Sequence, residues 1–362
     1  SACLVGSEMC IRDRFMKTQY LDELTGGRGV IFATGTPISN SMVELYTIQR
    51  YLQYRLLQEM GLVHFDDWAG SFGETVTAIE LSPEGTGYRA KTRFAKFYNL
   101  PELMAAFKEV ADIQTADMLC LPVPKANFHT EVIQPSELQK EMIRGLAERA
   151  EKIRAGGVDP HVDNMLRITS DGKKLALDPR LYAENGQDEA GNKLNECAKR
   201  VFEIWADTID IQGTQIIFCD LSTPKKKFED YVPGTDFDVY NELKYKLVHR
   251  GIPKEEIAYI HDPKNEKEKQ TLFDELNEGK VRVIIASTEK CGAGANLQKK
   301  LVALHHLDTP YRPADMEQRE GRIVRQGNEN EDVKIFTYVT QRTFDSVSYT
   351  HLRAHETGRN LV

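Results

Sequence analysis

The 362-residue sequence lacks long apolar runs and paired cysteines. No apolar run approaches the roughly 20 residues of a membrane-spanning helix, so the sequence predicts a soluble protein. Its six cysteines form no C-x-x-C pair, which argues against a zinc site and favours reduced thiols in the cytoplasm. His305 and His306 are neighbours in a predicted strand and would point to opposite faces, so no metal site is expected there.

A phosphate-binding loop of the form G-x-x-x-x-G-K-[ST] is also missing. Residues 85–92 come near this pattern, but Ala90 replaces the second glycine, and a plain loop is expected there. The chain by itself is therefore not expected to hydrolyse a nucleoside triphosphate.

An excess of basic residues is absent too, since the net charge is −8. This acidity does not point to a nucleic-acid binder, although a local basic track is enough to follow a phosphate backbone. A basic run over residues 89–96 could supply such a track, or it could be an ordinary solvated face.

What the sequence does contain is a patterned stretch over residues 281–327. Its first part is an apolar, β-branched run that leads into a loop with two glycines, where backbone can approach a ligand closely. The candidate contact residues of this part are Ser287, Thr288, Gly292, Gly294 and Asn296.

The second part of the stretch begins with an apolar run that ends at Asp308. Pro313 is predicted to begin a helix that stops near Gly327. The side chains expected to share one face of this helix are those of Gln318, Arg322 and Arg325. Two guanidinium groups on one face could hold a phosphoryl group in two-point contacts, while an exposed basic helix face is the alternative.

A second candidate segment lies near the start of the chain. Val30–Ala33 is predicted to be a short buried strand, and a helix is predicted to begin near Ser39 or Asn40. Between them stands the turn sequence T-G-T-P, whose candidate functional residues are Thr34, Gly35 and Thr36.

Taken together, these motifs resemble those of superfamily II helicases. The order T-G-T-P-I-x-N, S-T-x-x-x-G-x-G-x-N-L, D-x-P and Q-x-x-G-R-x-x-R-x-G is most similar to the Swi/Snf-type DNA translocases. The stretches GTPISNSMVELYTIQRYLQ and HHLDTPYRPADMEQREGRIVRQGN also resemble the helicase–adenine methyltransferase fusion proteins of bacterial mobile elements and phages. The chain departs from the family at Asn328, where many members have glutamine, and at Arg312, where many have tryptophan or asparagine.

The resemblance implies an α/β fold with a RecA-like second helicase lobe, a parallel doubly wound sheet. Strands that alternate with amphipathic helices after residue 193 favour the same sheet independently. The expected divisions are a non-native leader (1–14), the end of a first RecA-like lobe (15–49), a mostly helical inter-lobe region and linker (50–192), the second lobe (193–345) and a non-native tail (346–362). The leader and the tail resemble translated sequencing-adapter sequence.

By the same resemblance, Arg322 and Arg325 would be arginine fingers, with Gln318 beside them. They would reach ATP and Mg²⁺ bound mainly by the first lobe. The residues implied to contact the nucleotide cleft are Gly292, Gly294, Asn296 and Asp308. Those implied to contact DNA or to couple it to the cleft are Thr34, Gly35, Thr36, Ser287 and Thr288.

The implied function is that of the C-terminal part of an ATP-dependent helicase or translocase acting on double-stranded DNA. An adenine methyltransferase region would be covalently linked elsewhere in a longer chain, and no membrane partner is expected. The alternative is a non-catalytic DNA-binding or scaffolding module that keeps the helicase fold.

Overall fold

The computed structural model describes residues 8–34, 43–81, 88–114, 116–119, 121–155, 159, 161–183, 186–235, 237–291, 296–310 and 312–350. The chain divides into two compact units. The first comprises Ser1–Glu80 and Tyr88–Cys120, and the second comprises Leu81–Gly87 and Leu121–Val362.

The first unit is mostly helical. Its helices are α1 (Glu8–Thr25), α2 (Val43–Leu52), α3 (Tyr54–Glu59), α4 (Phe65–Phe72), α5 (Leu100–Lys108) and α6 (Ala116–Leu119), and its two-stranded sheet is β1 (Gly73–Leu81) with β2 (Tyr88–Phe97). Trp68 is fully buried in its core, and its indole N–H donates a 2.9 Å hydrogen bond to Oε1 of Gln49. Residues 88–92, expected to form a loop, lie in β2.

The strand predicted at Val30–Ala33 is not formed. Ile31 is 90% exposed and Phe32 is 46% exposed. A strand needs a neighbour to pair its backbone N–H and C=O groups, and no strand in the described part of the chain pairs with this segment. The sequence pattern identified an apolar segment correctly but could not provide its partner.

The second unit is built on a six-stranded parallel sheet. Its strands are β3 (Lys125–Ile133), β4 (Thr214–Phe218), β5 (Ile257–Tyr259), β6 (Val283–Ala286), β7 (Leu301–His306) and β8 (Asp332–Thr340). The strand order is β3-β8-β7-β4-β6-β5, and all neighbours are parallel. The edge strand β3 comes from the region expected to be mostly helical, so that region contributes directly to the sheet.

α-Helices connect most of these strands. They are α7 (Glu137–Arg154), α8 (Met165–Leu177), α9 (Lys193–Asp207), α10 (Val239–His249), α11 (Glu266–Glu278) and α12 (Pro313–Glu320). Ser136 caps α7 with a capping box: its hydroxyl accepts from the N–H of Gln139, and the side-chain oxygen of Gln139 accepts from the N–H of Ser136.

Both faces of the central strands are buried. Ile217 and Ile285 pack in one core with α9 and α10, whereas Ile216 and Ile284 pack in the other core with α11. Successive strand residues therefore meet helices on opposite sides, which explains why β6 is apolar throughout and β4 is apolar from Ile216 to Phe218. The expected fold class, an α/β chain with a RecA-like parallel sheet covered on both faces, is confirmed.

No helix in the described ranges is long and apolar enough to cross a membrane.

Candidate functional site

Three neighbouring strands of the sheet carry polar residues just beyond their carboxyl ends. Asp220 follows β4, Thr288 follows β6, and Asp308 follows β7. Because β4 lies between β6 and β7 in a parallel sheet, these three residues meet at one edge. This is the edge at which open α/β sheets bind ligands.

Arg319, in the last turn of α12, joins the three strand ends. Its Nε donates to the Thr288 hydroxyl at 2.7 Å, and its Nη2 donates to Oδ2 of Asp220 at 2.8 Å and to Oδ1 of Asp308 at 3.0 Å. Its Nη1 donates to the backbone carbonyl of Asp308 at 2.9 Å. Its guanidinium also lies 5.1 Å from the ring centroid of Phe218.

The two carboxylates also accept hydrogen bonds from backbone N–H groups. Asp308 Oδ2 accepts from the N–H groups of Asp220 and Leu221. Asp220 accepts from the N–H and the hydroxyl of Thr288, both at 2.7 Å. We call Asp220, Thr288, Asp308 and Arg319 the carboxyl-edge network. It fixes the ends of β4, β6 and β7 against α12.

The charges within the network stabilise one another. Burial opposes the charge of Arg319, but the two carboxylates outweigh it and raise the Arg319 pKa. Burial likewise opposes ionisation of Asp220, yet the Arg319 charge and the hydrogen bonds from Thr288 lower the Asp220 pKa below its usual value. Arg319 and Asp220 are therefore both ionised at neutral pH.

Neither Arg319 nor Asp220 was identified from the sequence as a site residue. A signal for Asp220 was present, because an acidic residue directly follows an apolar strand of a parallel sheet. Arg319 gave no comparable signal, since an arginine next to Gln318 on an amphipathic helix resembles any solvated basic residue.

Arg322 occupies a different environment from Arg319. It is only 8% exposed, and its guanidinium makes no hydrogen bond or ion pair with the described residues. Burial lowers its pKa, and the nearby charge of Arg325 lowers it further, with Cys291 acting in the opposite direction. The site therefore contains a mostly buried cation without a carboxylate partner in the described chain.

The shared helix face predicted for Gln318, Arg322 and Arg325 is wrong in its geometry. The helix begins at Pro313 as predicted but ends at Glu320. The N–H of Arg322 donates to the carbonyl of Arg319 at 3.0 Å, a bond of three residues instead of four. Gly321 favours this early end, because glycine costs about 1 kcal/mol in a helix interior. Gln318 is exposed on α12, whereas Arg322 and Arg325 lie in the turns beyond it.

The remaining predicted nucleotide contacts are only partly described. Gly292 and Gly294 lie outside the described residues. Asn296 is exposed, and its carbonyl accepts from the Asn277 side chain at 2.8 Å. Asp308 is 2% exposed with both carboxylate oxygens hydrogen-bonded inside the network, so its contact with a nucleotide stays a prediction.

The predicted DNA-contact or coupling residues are divided between the units. Thr34 is exposed in the first unit, and Gly35 and Thr36 lie outside the described residues. Ser287 is buried, and its hydroxyl accepts from the N–H of Lys290 at 3.4 Å. The Thr288 hydroxyl is used within the carboxyl-edge network, which favours coupling over direct contact.

Across the described ranges, no group of three or more His, Cys, Asp or Glu residues is placed to hold a metal ion.

Two family models match the chain. Residues 209–327 match the helicase conserved C-terminal domain, and residues 14–115 match a model described as "Probable helicase domain". The first match contains the whole carboxyl-edge network together with Arg322 and Arg325. These matches support a helicase-like or translocase-like function in general.

Two curated proteins are similar over most of the chain. Defense against restriction protein B of Escherichia phage P1 is 21% identical, and the match covers 92% of this chain and 20% of that protein. SNF2 domain-containing protein CLASSY 3 of Arabidopsis thaliana is 22% identical, with 85% of this chain and 21% of that protein covered. The chain thus spans about a fifth of the length of these relatives.

A solved structure, the C-terminal part of the Fun30 ATPase domain, matches with a TM-score of 0.45 and 17% identity. The match covers 63% of this chain and 89% of that one.

Proposed function

We propose that this chain is the C-terminal motor part of a Swi/Snf-type, ATP-dependent translocase that acts on double-stranded DNA. The observation that carries the proposal is the environment of Arg322, an arginine that is 8% exposed and without an ionic partner in the described residues.

Such an arginine is costly in the unliganded protein. Removing part of an unpaired charge from water costs free energy, as the lowered pKa of Arg322 indicates. An anion of suitable shape removes that penalty, and phosphate oxygens match a guanidinium in two-point geometry. Arg322 is therefore suited to an incoming phosphate.

The reaction served by Arg322 is hydrolysis of the γ-phosphate of ATP. Negative charge is spread over the phosphoryl oxygens in the transition state, and a correctly placed arginine accelerates related hydrolases by about 10³ to 10⁵. Arg325 is the second candidate finger, and Gln318 orients nearby groups from the exposed side of α12. ATP and its Mg²⁺ are held mainly by the first lobe. The phosphate-binding loop belongs to that lobe of the longer protein.

DNA contact is coupled to hydrolysis through the carboxyl-edge network. Thr288 belongs to this network and directly follows Ser287 in the loop after β6. A shift of that loop on DNA would be transmitted through Arg319 to the turn that carries Arg322. In the longer protein, an adenine methyltransferase region is a further expected partner.

The proposal is tested by assaying ATP hydrolysis in the full-length protein with and without duplex DNA. We expect hydrolysis that rises at least about tenfold when duplex is added, as coupling requires. Duplex binding without any hydrolysis would contradict the proposal and favour a non-catalytic DNA-binding module. Unwinding of tailed and blunt duplexes, measured alongside, separates strand separation from translocation.

A further inference from the structure

We propose that Arg319 is a positioning residue, which holds the turn of Arg322 and the loop of Thr288 in one fixed relation. This inference rests on the proposed function, because it assigns Arg319 a role in setting the geometry of nucleotide hydrolysis. It adds a residue that the sequence did not identify.

Arg319 connects three strand ends with the turn of Arg322. Its guanidinium contacts the polypeptide that follows three different strands, through Asp220, Thr288 and Asp308. Its backbone carbonyl accepts from the N–H of Arg322 at 3.0 Å. One residue thus links the strand ends directly to the turn that presents the candidate finger.

Arg319 cannot itself serve as an arginine finger. Its side chain is fully buried, and its three nitrogens are all engaged by protein acceptors. It has no exposed donor to offer a phosphate. Arg319 therefore acts by orienting other residues. Arg322, in contrast, has no ionic partner in the described chain and remains able to bind an anion.

The geometry at position 319 requires a guanidinium group. A lysine at this position has one nitrogen and could not reach Thr288, Asp220 and the Asp308 carbonyl together. Losing some of these bonds would loosen the turn of Arg322 and the Thr288 loop relative to each other. A displacement of about 1 Å in a reacting geometry can cost about a hundredfold in rate.

The test compares two buried arginines in the full-length protein. Arg319→Lys removes the proposed positioning contacts. Arg282→Lys is the matched control, because Arg282 is 4% exposed and its guanidinium donates to the carbonyls of Gly213 and Trp205 at the opposite end of β6. Both variants lose a buried guanidinium, but only the first loses one at the carboxyl edge.

We expect Arg319→Lys to lower kcat for DNA-stimulated ATP hydrolysis by about 10- to 100-fold, with KM for ATP changed less than about threefold. Arg282→Lys should keep kcat within about twofold of wild type. Thr288→Val, which keeps the volume and removes one contact of Arg319, should lower kcat by a smaller factor. This third variant keeps the proposal testable if Arg319→Lys fails to fold.

Amide hydrogen exchange supplies a readout that is independent of turnover. In Arg319→Lys, exchange should quicken at Leu221, Thr288 and Arg322, whose N–H groups are bonded within or next to the network. The same amides should be unchanged in Arg282→Lys. Equal kcat and equal exchange in the two lysine variants would overturn the positioning role. If Arg322→Ala also hydrolysed ATP normally, the proposed function itself would fail, and the two failures are thus distinguishable.

Discussion

The carboxyl edge changes the chemistry of a buried lysine on α8. Lys173 is 2% exposed, and its Nζ donates to the carbonyl of Thr309 at 3.2 Å. Burial lowers the pKa of Lys173 to about 8, and the positive charge of Arg319 assists, although Asp308 and Asp345 oppose the shift. Lys173 therefore loses its proton at a lower pH in the folded protein than in the unfolded chain.

A pH-dependent stability follows for Lys173. The unfolded chain keeps the Lys173 proton up to the ordinary lysine pKa of 10.5, whereas the folded chain loses it near pH 8. Between these two pH values the unfolded chain binds more protons than the folded chain, so the free energy of unfolding rises with pH. Relative to Lys173→Met, wild type should gain up to about 3 kcal/mol from pH 8 to 10.5. Urea unfolding of both proteins across this range measures the difference. A constant difference would show that folding does not lower the pKa of Lys173.

Asp220 should also make stability rise with pH, but in the acid range. Its folded-state pKa is lowered, so its contribution is present above the unfolded value near 4 and is lost as pH falls through the folded value. We expect Asp220→Asn to cost about 1 kcal/mol at pH 7, because its side chain is partly exposed and charge-assisted bonds are lost. The cost should shrink towards pH 3, as chemical denaturation would reveal; a cost that grows in acid would contradict the ionised network.

The helices and loops show which features follow from local sequence. Strands β4 and β6 were predictable, because continuous apolar runs between helical patterns are typical of a parallel sheet buried on both faces. The end of α12 was not, since the arginine spacing suggested a continuous face, while Gly321 shortened the helix. The strand prediction for Val30–Ala33 was wrong for another reason. Its apolar pattern is typical of a strand, but a strand forms only where a pairing partner is present.

The candidate site shows the same limit. Arg322 and Asp308 were predictable as candidates from motif order, and both lie at the carboxyl edge or just beyond it, while their roles stay predictions. The carboxyl-edge network was not, because Asp220 and Arg319 are 99 positions apart and meet only through the sheet topology. Local patterns locate the elements, whereas contacts between strand ends require the order of strands.

Two glycines provide an element-scale prediction. Gly279 ends α11 with a φ of +83°, and an added Cβ would stand 2.7 Å from Cβ of Gln212. Gly279→Ala should therefore lower the free energy of unfolding by about 1–3 kcal/mol. Gly145 lies inside α7, where an added Cβ meets nothing within 4 Å. Gly145→Ala should raise stability by up to about 1 kcal/mol.

Thermal and urea unfolding of these two alanine variants measure the contrast directly. The pair controls for the chemistry of the substitution, because each change adds the same methyl group. Equal effects of the two substitutions would mean that the left-handed end of α11 does not determine stability at this position.

At the scale of the whole molecule, the chain combines a covered parallel sheet with one charged edge. The second unit provides the network that organises the ends of three strands, and just beyond α12 it holds Arg322 with its charge mostly buried. A net charge of −8 makes general attraction to DNA weak, so any grip on duplex must come from local contacts. Nucleotide chemistry is therefore the more direct test of the molecule's function.

The most direct measurement is ATP turnover by the full-length protein with Arg322→Ala at saturating duplex DNA, together with binding of a non-hydrolysable ATP analogue. We predict that kcat falls by about 10³-fold or more, while the analogue's Kd changes by less than about tenfold. Arg154→Ala, at an exposed position at the end of α7, serves as the control and should hydrolyse ATP at the wild-type rate. Turnover by Arg322→Ala within about twofold of wild type would contradict the claim that this buried arginine is reserved for the phosphate of ATP.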